Sequence, residues 1–145
     1  VQGIRGKGED ITLVLGVNDA LTGPGAVYGL PQANAVKMAA EEINAAGGIK
    51  VGPDTYKIDV IAYDDKANPT EATNSVRKLI DRDKVDAVVG YVGSGDCLAV
   101  APVAEEMKKS GKPVNMIYFL ASGIDIANDL CITCGSCLSC SNSSP

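Results

Sequence analysis

The sequence predicts an α/β fold, a three-layer, doubly wound parallel sheet formed by one lobe. Two observations carry this. Short apolar, β-branched runs alternate with helical patterns, strand first, and the connections between successive strands are long enough for right-handed crossover helices. The length, 145 residues, is one domain's worth and enough to bury a core.

The elements follow in order. Ile11–Val17 is short and apolar and ends in turn residues, which reads as a strand buried on both faces. From about Leu30 to Ala46, Ala33, Val36, Ala40 and Ile43 recur at helical spacing, and Gly47-Gly48 supplies a left-handed stop. Tyr56–Tyr63 alternates as a second strand. It feeds a helix near Pro69–Arg82 with Asn68 at the N-cap, Pro69 at N1 and Glu71 at N3. Val85–Gly90 is a third strand, Leu98–Lys109 a third helix, and Pro113–Tyr118 a fourth strand.

Composition narrows the function. The net charge is −5, from 13 basic and 18 acidic residues, and the basic residues are dispersed, so the footprint of a nucleic-acid binder is missing. No apolar run approaches the roughly 20 residues of a membrane span. The N-terminal VQGIRGKGED lacks the apolar core of a signal peptide. There is no His, which removes His-based triads, His metal sites and the commonest general base.

In an open parallel sheet, ligands sit at the carboxyl ends of the strands beside the point where strand order reverses. Three turns qualify: Asn18–Gly29, Tyr91–Cys97 and Phe119–Asp125. None is a nucleotide loop. A P-loop needs Lys then Ser or Thr after its last glycine, and Gly23, Gly25 and Gly29 miss the dinucleotide spacing. What remains is a small anionic or zwitterionic ligand held by backbone N–H groups and hydroxyls at helix N-termini, with Ser94 and Ser122 as the hydroxyls.

LTGPGAVYG, EEINAAGGI, YDDKANPTEA, RKLIDRDKVDAVVG and a Gly/Ser turn before AVAPVAEE, in that order, resemble the amino-terminal lobe of the type I periplasmic binding proteins, branched-chain amino acid group. The resemblance covers about residues 11–130, leaving a polar segment 1–10 and a Cys/Ser-rich tail 131–145. It implies a non-enzymatic solute-binding component of an ABC transporter, without cofactor, in the periplasm or outside the cell. Its partners would be an amino acid or small carboxylate, a membrane permease and a second lobe that closes over the ligand.

The ligand set implied is Tyr28, Ser94, Gly95, Leu120, Ala121 and Ser122. Ser94 would hold the α-carboxylate, the Leu120 backbone and Ser122 hydroxyl would complete the grip, and Tyr28 would line the cleft. Asp96 departs from the family's small hydroxyl residues. It either points away, pairs with the ligand's amino group or marks a different ligand.

Other readings stand beside these. Ser94 and Ser122 could cap helices, Tyr28 could sit at the core edge, and Asp64 and Asp65 read as turn and capping residues. Asn18 and Asp19 could bond the turn backbone. Cys131, Cys134, Cys137 and Cys140 resemble the start of a ferredoxin cluster motif but end x2-C-S instead of x3-C-P. A zinc knot, disulfides or an ill-defined tail are the alternatives. With Cys97, read as a partly buried thiol, the count is odd, so a free or intermolecular thiol is expected. The competing functions are a self-associating assembly module, such as a homodimer, and a small redox or metal protein built on the tail.

Overall fold

The computed structural model describes residues 8, 10–91, 93–112 and 114–118. The elements run β1 (Asp10–Asp19), α1 (Ala26–Ala45), β2 (Ile49–Val51), β3 (Asp54–Asp64), α2 (Pro69–Asp81), β4 (Ala87–Gly90), α3 (Ser94–Lys109) and β5 (Asn115–Tyr118). They form one sheet of order β2-β3-β1-β4-β5. β3, β1, β4 and β5 are mutually parallel, as expected, and β2 adds an antiparallel edge to β3.

β2 has no counterpart in the sequence reading. Its three residues are all exposed, so no burial pattern marks them, and the pairing with Asp54–Tyr56 supplies the strand. β1 also differs from the expectation. Only its last four residues, Gly16–Asp19, are uniformly buried, and its first half is partly open to solvent.

Right-handed crossovers in opposite directions place helices on opposite faces. The chain moves from β1 through α1 to β3, and α1 lies against β3 and β1, where Asn44 bonds both backbone groups of Ile58 at 2.7 and 2.8 Å. It then crosses back through α2 to β4 and through α3 to β5, and α2 and α3 pack together. The Leu79 side chain of α2 sits where a Cβ on Gly16 of β1 would be, 2.8 Å away. The main core lies in this second layer, around Val76, Leu79, Val88, Val100 and Val103. Each such side chain contributes about 1.5–3 kcal/mol on burial.

α2 starts as the sequence dictates. Asn68 accepts from the N–H groups of Thr70 and Glu71 at 2.9 and 3.3 Å, with Pro69 at N1. α1 and α3 each begin four residues before their first apolar-periodic position, which moves Tyr28, Ser94 and Gly95 from turns into first helical turns.

Candidate functional site

Strand order reverses between β1 and β4. The chain leaves β1 toward β3 and leaves β4 toward β5, so a crevice opens outside their carboxyl ends. α1 follows β1 and α3 follows β4, and the N-termini of these two helices flank the crevice.

The floor is built by two close backbone approaches. Gly90 has φ +148°, and a Cβ there would meet the Asn18 carbonyl oxygen at 2.0 Å. Tyr91 follows in the left-handed region at φ 72°, fully buried, a costly conformation for an aromatic residue. Its N–H donates to the Asn18 carbonyl at 3.1 Å, and its hydroxyl accepts from Asn18 Nδ2 at 3.1 Å. Asn18 Nδ2 also donates to the Ala72 carbonyl at 2.9 Å. Asn18 therefore ties the end of β1 to α2 and β4, not to its own turn.

Asp64 fixes the glycine turn after β1. It accepts from Leu21 N–H at 2.9 Å, Thr22 N–H at 3.3 Å, Thr22 Oγ1 at 2.5 Å and Lys66 N–H at 2.9 Å. Partial burial works against its charge, but the Thr22 hydroxyl and these backbone donors outweigh that and hold its carboxyl below the usual range. Such a group stabilises the fold above its unfolded pKa, and the contribution is lost as pH falls. Asp64→Ala is expected to lower stability by about 1–2 kcal/mol at pH 7 in urea unfolding. The deficit should shrink as the pH is taken down through 4, where the parent's own carboxylate protonates.

The α3 N-terminus differs from that of α2. Its N-cap is Gly93, and no side chain caps it. Ser94 is the first helical residue and half-buried, so it is not the cap, and Gly95 beside it is exposed. The positive end of the helix thus meets the crevice with a hydroxyl and a backbone N–H group in place. α1 is likewise uncapped by a side chain at Gly25, and Tyr28 in its first turn is 58% exposed, which removes the core-edge reading. Val27 and Leu30 near the start of α1 and Leu98 near the start of α3 are also exposed.

Asp96 points inward. It is 3% exposed, and burial raises its carboxyl above the usual range, so the acid lies beneath the helix turn and not on the crevice surface. Asp19 and Asp65 are buried with it at the strand ends. The sequence signal was an acid directly after each apolar run, in VNDA and AYDD, but only the parallel register, which pairs Asp19 with Asp64, brings the acids together. Cys97 is fully buried, not partly, and burial followed by the charge of Asp96 pushes its thiol to about 11, which leaves it unreactive.

Among the described residues, no group of three or more His, Cys, Asp or Glu could hold a metal ion, and no helix is long and apolar enough to cross a membrane. Leu120, Ala121, Ser122 and the four tail cysteines lie outside the described residues.

Residues 12–135 match the family model described as periplasmic binding protein. The chain is 36% identical over 94 residues to an amino acid binding protein of Pseudomonas aeruginosa, covering 65% of this chain and 24% of that one. It is 31% identical over 98 residues to the Leu/Ile/Val-binding protein of Escherichia coli, covering 68% and 25%. The chain therefore spans about a quarter of the length of these relatives. Among solved structures it resembles a branched-chain amino acid transporter substrate binding protein from Streptococcus pneumoniae in complex with isoleucine (TM-score 0.67, 32% identity, 80% of this chain and 31% of that one). It also resembles an ABC transporter solute binding protein from Rhodopseudomonas palustris in complex with 3,4-dihydroxybenzoic acid (TM-score 0.60, 31% identity, 75% and 27%).

Proposed function

Since the chain belongs to the periplasmic binding protein family, we propose that it is the amino-terminal lobe of the solute-binding component of an ABC transport system. It binds and delivers a small carboxylate, works in the periplasm or outside the cell, and carries out no catalysis. The observation that carries this reading is the α3 N-terminus, uncapped by a side chain and bearing Ser94 and Gly95 at the strand-order reversal.

The ligands named for the two similar structures, isoleucine and 3,4-dihydroxybenzoic acid, differ in everything except a carboxylate on a small body. A helix N-terminus with a hydroxyl suits that shared group. Burial of Asp96 supports the reading as well, because an acid withdrawn beneath the turn and biased toward its neutral form does not repel the anion. Tyr28 supplies a wall for the ligand body, Leu120, Ala121 and Ser122 a second grip, and a membrane permease receives the loaded protein. The segment 11–130 acts as the lobe and 131–145 as an appendage.

One lobe provides half a cleft, so affinity in this chain alone is weak. The test is thermal melting with millimolar L-isoleucine, L-leucine and 3,4-dihydroxybenzoate, each beside its methyl ester. A ligand at 100 times its Kd adds about 2.7 kcal/mol, and only the free carboxylates should do so. Equal response to acids and esters, or none to either, defeats the reading.

A second reading rests on four exposed apolar side chains near the starts of α1 and α3, Val27, Tyr28, Leu30 and Leu98. They suit a covering surface, and a second copy of the lobe could supply it. Concentration-dependent dimers that ignore ligand would favour that function.

A further inference from the structure

We propose that Asn18 is a positioning residue for the carboxylate site. Its carbonyl and its buried amide hold Tyr91 in a left-handed conformation, and this sets where the first turn of α3, with Ser94 and Gly95, stands at the crevice. The role rests on the carboxylate reading of the α3 N-terminus and adds the residue of another strand that orients it.

Asn18 is fully buried near the end of β1, where it pairs with Gly90, the last residue of β4. An amide in that position costs free energy unless it is bonded. Nδ2 donates to the Ala72 carbonyl at 2.9 Å and to the Tyr91 hydroxyl at 3.1 Å, while Oδ1 is buried with no hydrogen-bond partner. What the side chain supplies is therefore its two donated bonds, one to α2 and one to the residue that follows β4.

The second bond meets a strained stretch. Gly90 at φ +148° and Tyr91 at φ +72° are consecutive residues of positive φ, and Tyr91 carries a bulky ring. Such a conformation persists only where its surroundings over-determine it. Three constraints converge on Asn18. The Gly90 backbone lies so close to the Asn18 carbonyl that no Cβ fits, the Tyr91 N–H donates to the same carbonyl at 3.1 Å, and the amide holds the far end of the ring. The ring itself belongs to the core that includes Ala72, Cys97 and Val100.

Tyr91 stands three residues before Ser94. The direction in which the chain leaves it fixes Gly93, whose carbonyl accepts from the N–H groups of Asp96 and Cys97 at 3.2 Å each. No side chain caps this end, so the start of α3 depends on where Gly93 is held. The Asn18–Ala72 bond ties the first turn of α2 to the same point, and Pro69 Cγ of that turn lies 4.0 Å from where a Gly95 Cβ would stand.

The test is amide hydrogen exchange of the parent, Asn18→Ala, Tyr91→Phe and the double variant, beside calorimetric titration with L-isoleucine. In Asn18→Ala, exchange at Asp96 and Cys97 should quicken about tenfold relative to Ala40 of α1 and Val103 of α3, and isoleucine should bind about tenfold more weakly. Tyr91→Phe should give the same pattern at smaller size, and the double variant should be less impaired than the sum of the two, because they share one bond. An asparagine that only stabilises the fold would quicken all of these amides alike, and that result overturns the role. Unchanged exchange at Asp96 and Cys97, unchanged affinity beside local quickening, or fully additive effects overturn it too. Should Asn18→Ala not fold, Tyr91→Phe decides alone, with quickening confined to Asp96 and Cys97 in support and uniform or absent change against. A parent chain that binds no isoleucine defeats the carboxylate reading and the positioning role with it. A parent that binds, beside variants that exchange and bind as it does, defeats the role of Asn18 alone.

Discussion

Replacing Gly29 with alanine is expected to cost about 3–5 kcal/mol of stability, on the order of 10 °C in melting temperature. The residue lies one turn into α1, and a Cβ there would stand 2.1 Å from the Ala20 carbonyl oxygen and 2.7 Å from its carbonyl carbon. Both are backbone atoms of the segment leaving β1, so no side chain can rotate out of the way. α1 must lift, which takes Ala33 and Ala40 out of their buried positions and moves the exposed Tyr28 of its first turn. Gly95→Ala is the control. Gly95 is also helical, but the nearest atom to its Cβ would be Pro69 Cγ at 4.0 Å, so alanine should be neutral or slightly stabilising. Urea unfolding of the two variants separates close approach from helix propensity. A Gly29→Ala chain as stable as Gly95→Ala would mean that α1 does not dock on Ala20 as described.

The same contact explains where the sequence was legible and where it was not. α2 was located to within one residue because its signals are local: Asn68, Pro69 and Glu71 at the start and a single apolar stripe facing the core. α1 begins at Ala26 and not at Leu30 because its first turn, with Val27, Tyr28 and Leu30 exposed, has no core-facing stripe to read. Its start is set by docking against Ala20, a contact that composition does not encode. α3 likewise opens with Ser94 and Gly95, poor helix formers that a periodicity reading assigns to a turn. The parallel direction of β3, β1, β4 and β5 followed from the alternation of elements, their order in the sheet did not, and exposed β2 exists through its pairing with β3.

The site was legible in part for the same reason. Ser94 and Gly95 could be placed beyond the end of β4 from a Gly/Ser turn after an apolar run, and Tyr28 beyond the end of β1 from the turn that follows it. The inward aim of Asp96 could not, since it depends on where α3 begins. Once α3 starts at Ser94, the third residue of the helix falls on its inner side, and the acid that seemed to oppose an anion lies under the turn instead.

Ser94→Ala is therefore expected to weaken carboxylate binding by roughly 10- to 100-fold, the loss of one hydrogen bond donated to a charged group at about 1.5–3 kcal/mol. Gly93 and not Ser94 is the N-cap of α3, so the substitution removes no N-cap, and thermal melting of the variant is measured beside its affinity. The two readouts together make the test specific. A structural serine would lower the melting temperature along with affinity, whereas a binding serine lowers affinity alone. Calorimetric titration with L-isoleucine and with 3,4-dihydroxybenzoate should give the same fold loss for both, since the hydroxyl meets the carboxylate they share and not the bodies in which they differ. Tyr28→Ala should instead affect the two unequally, because an aromatic wall discriminates between an aliphatic and a ring-shaped body. Unchanged affinity in Ser94→Ala would move the anion away from the α3 N-terminus and leave the crevice between β1 and β4 without its principal polar contact.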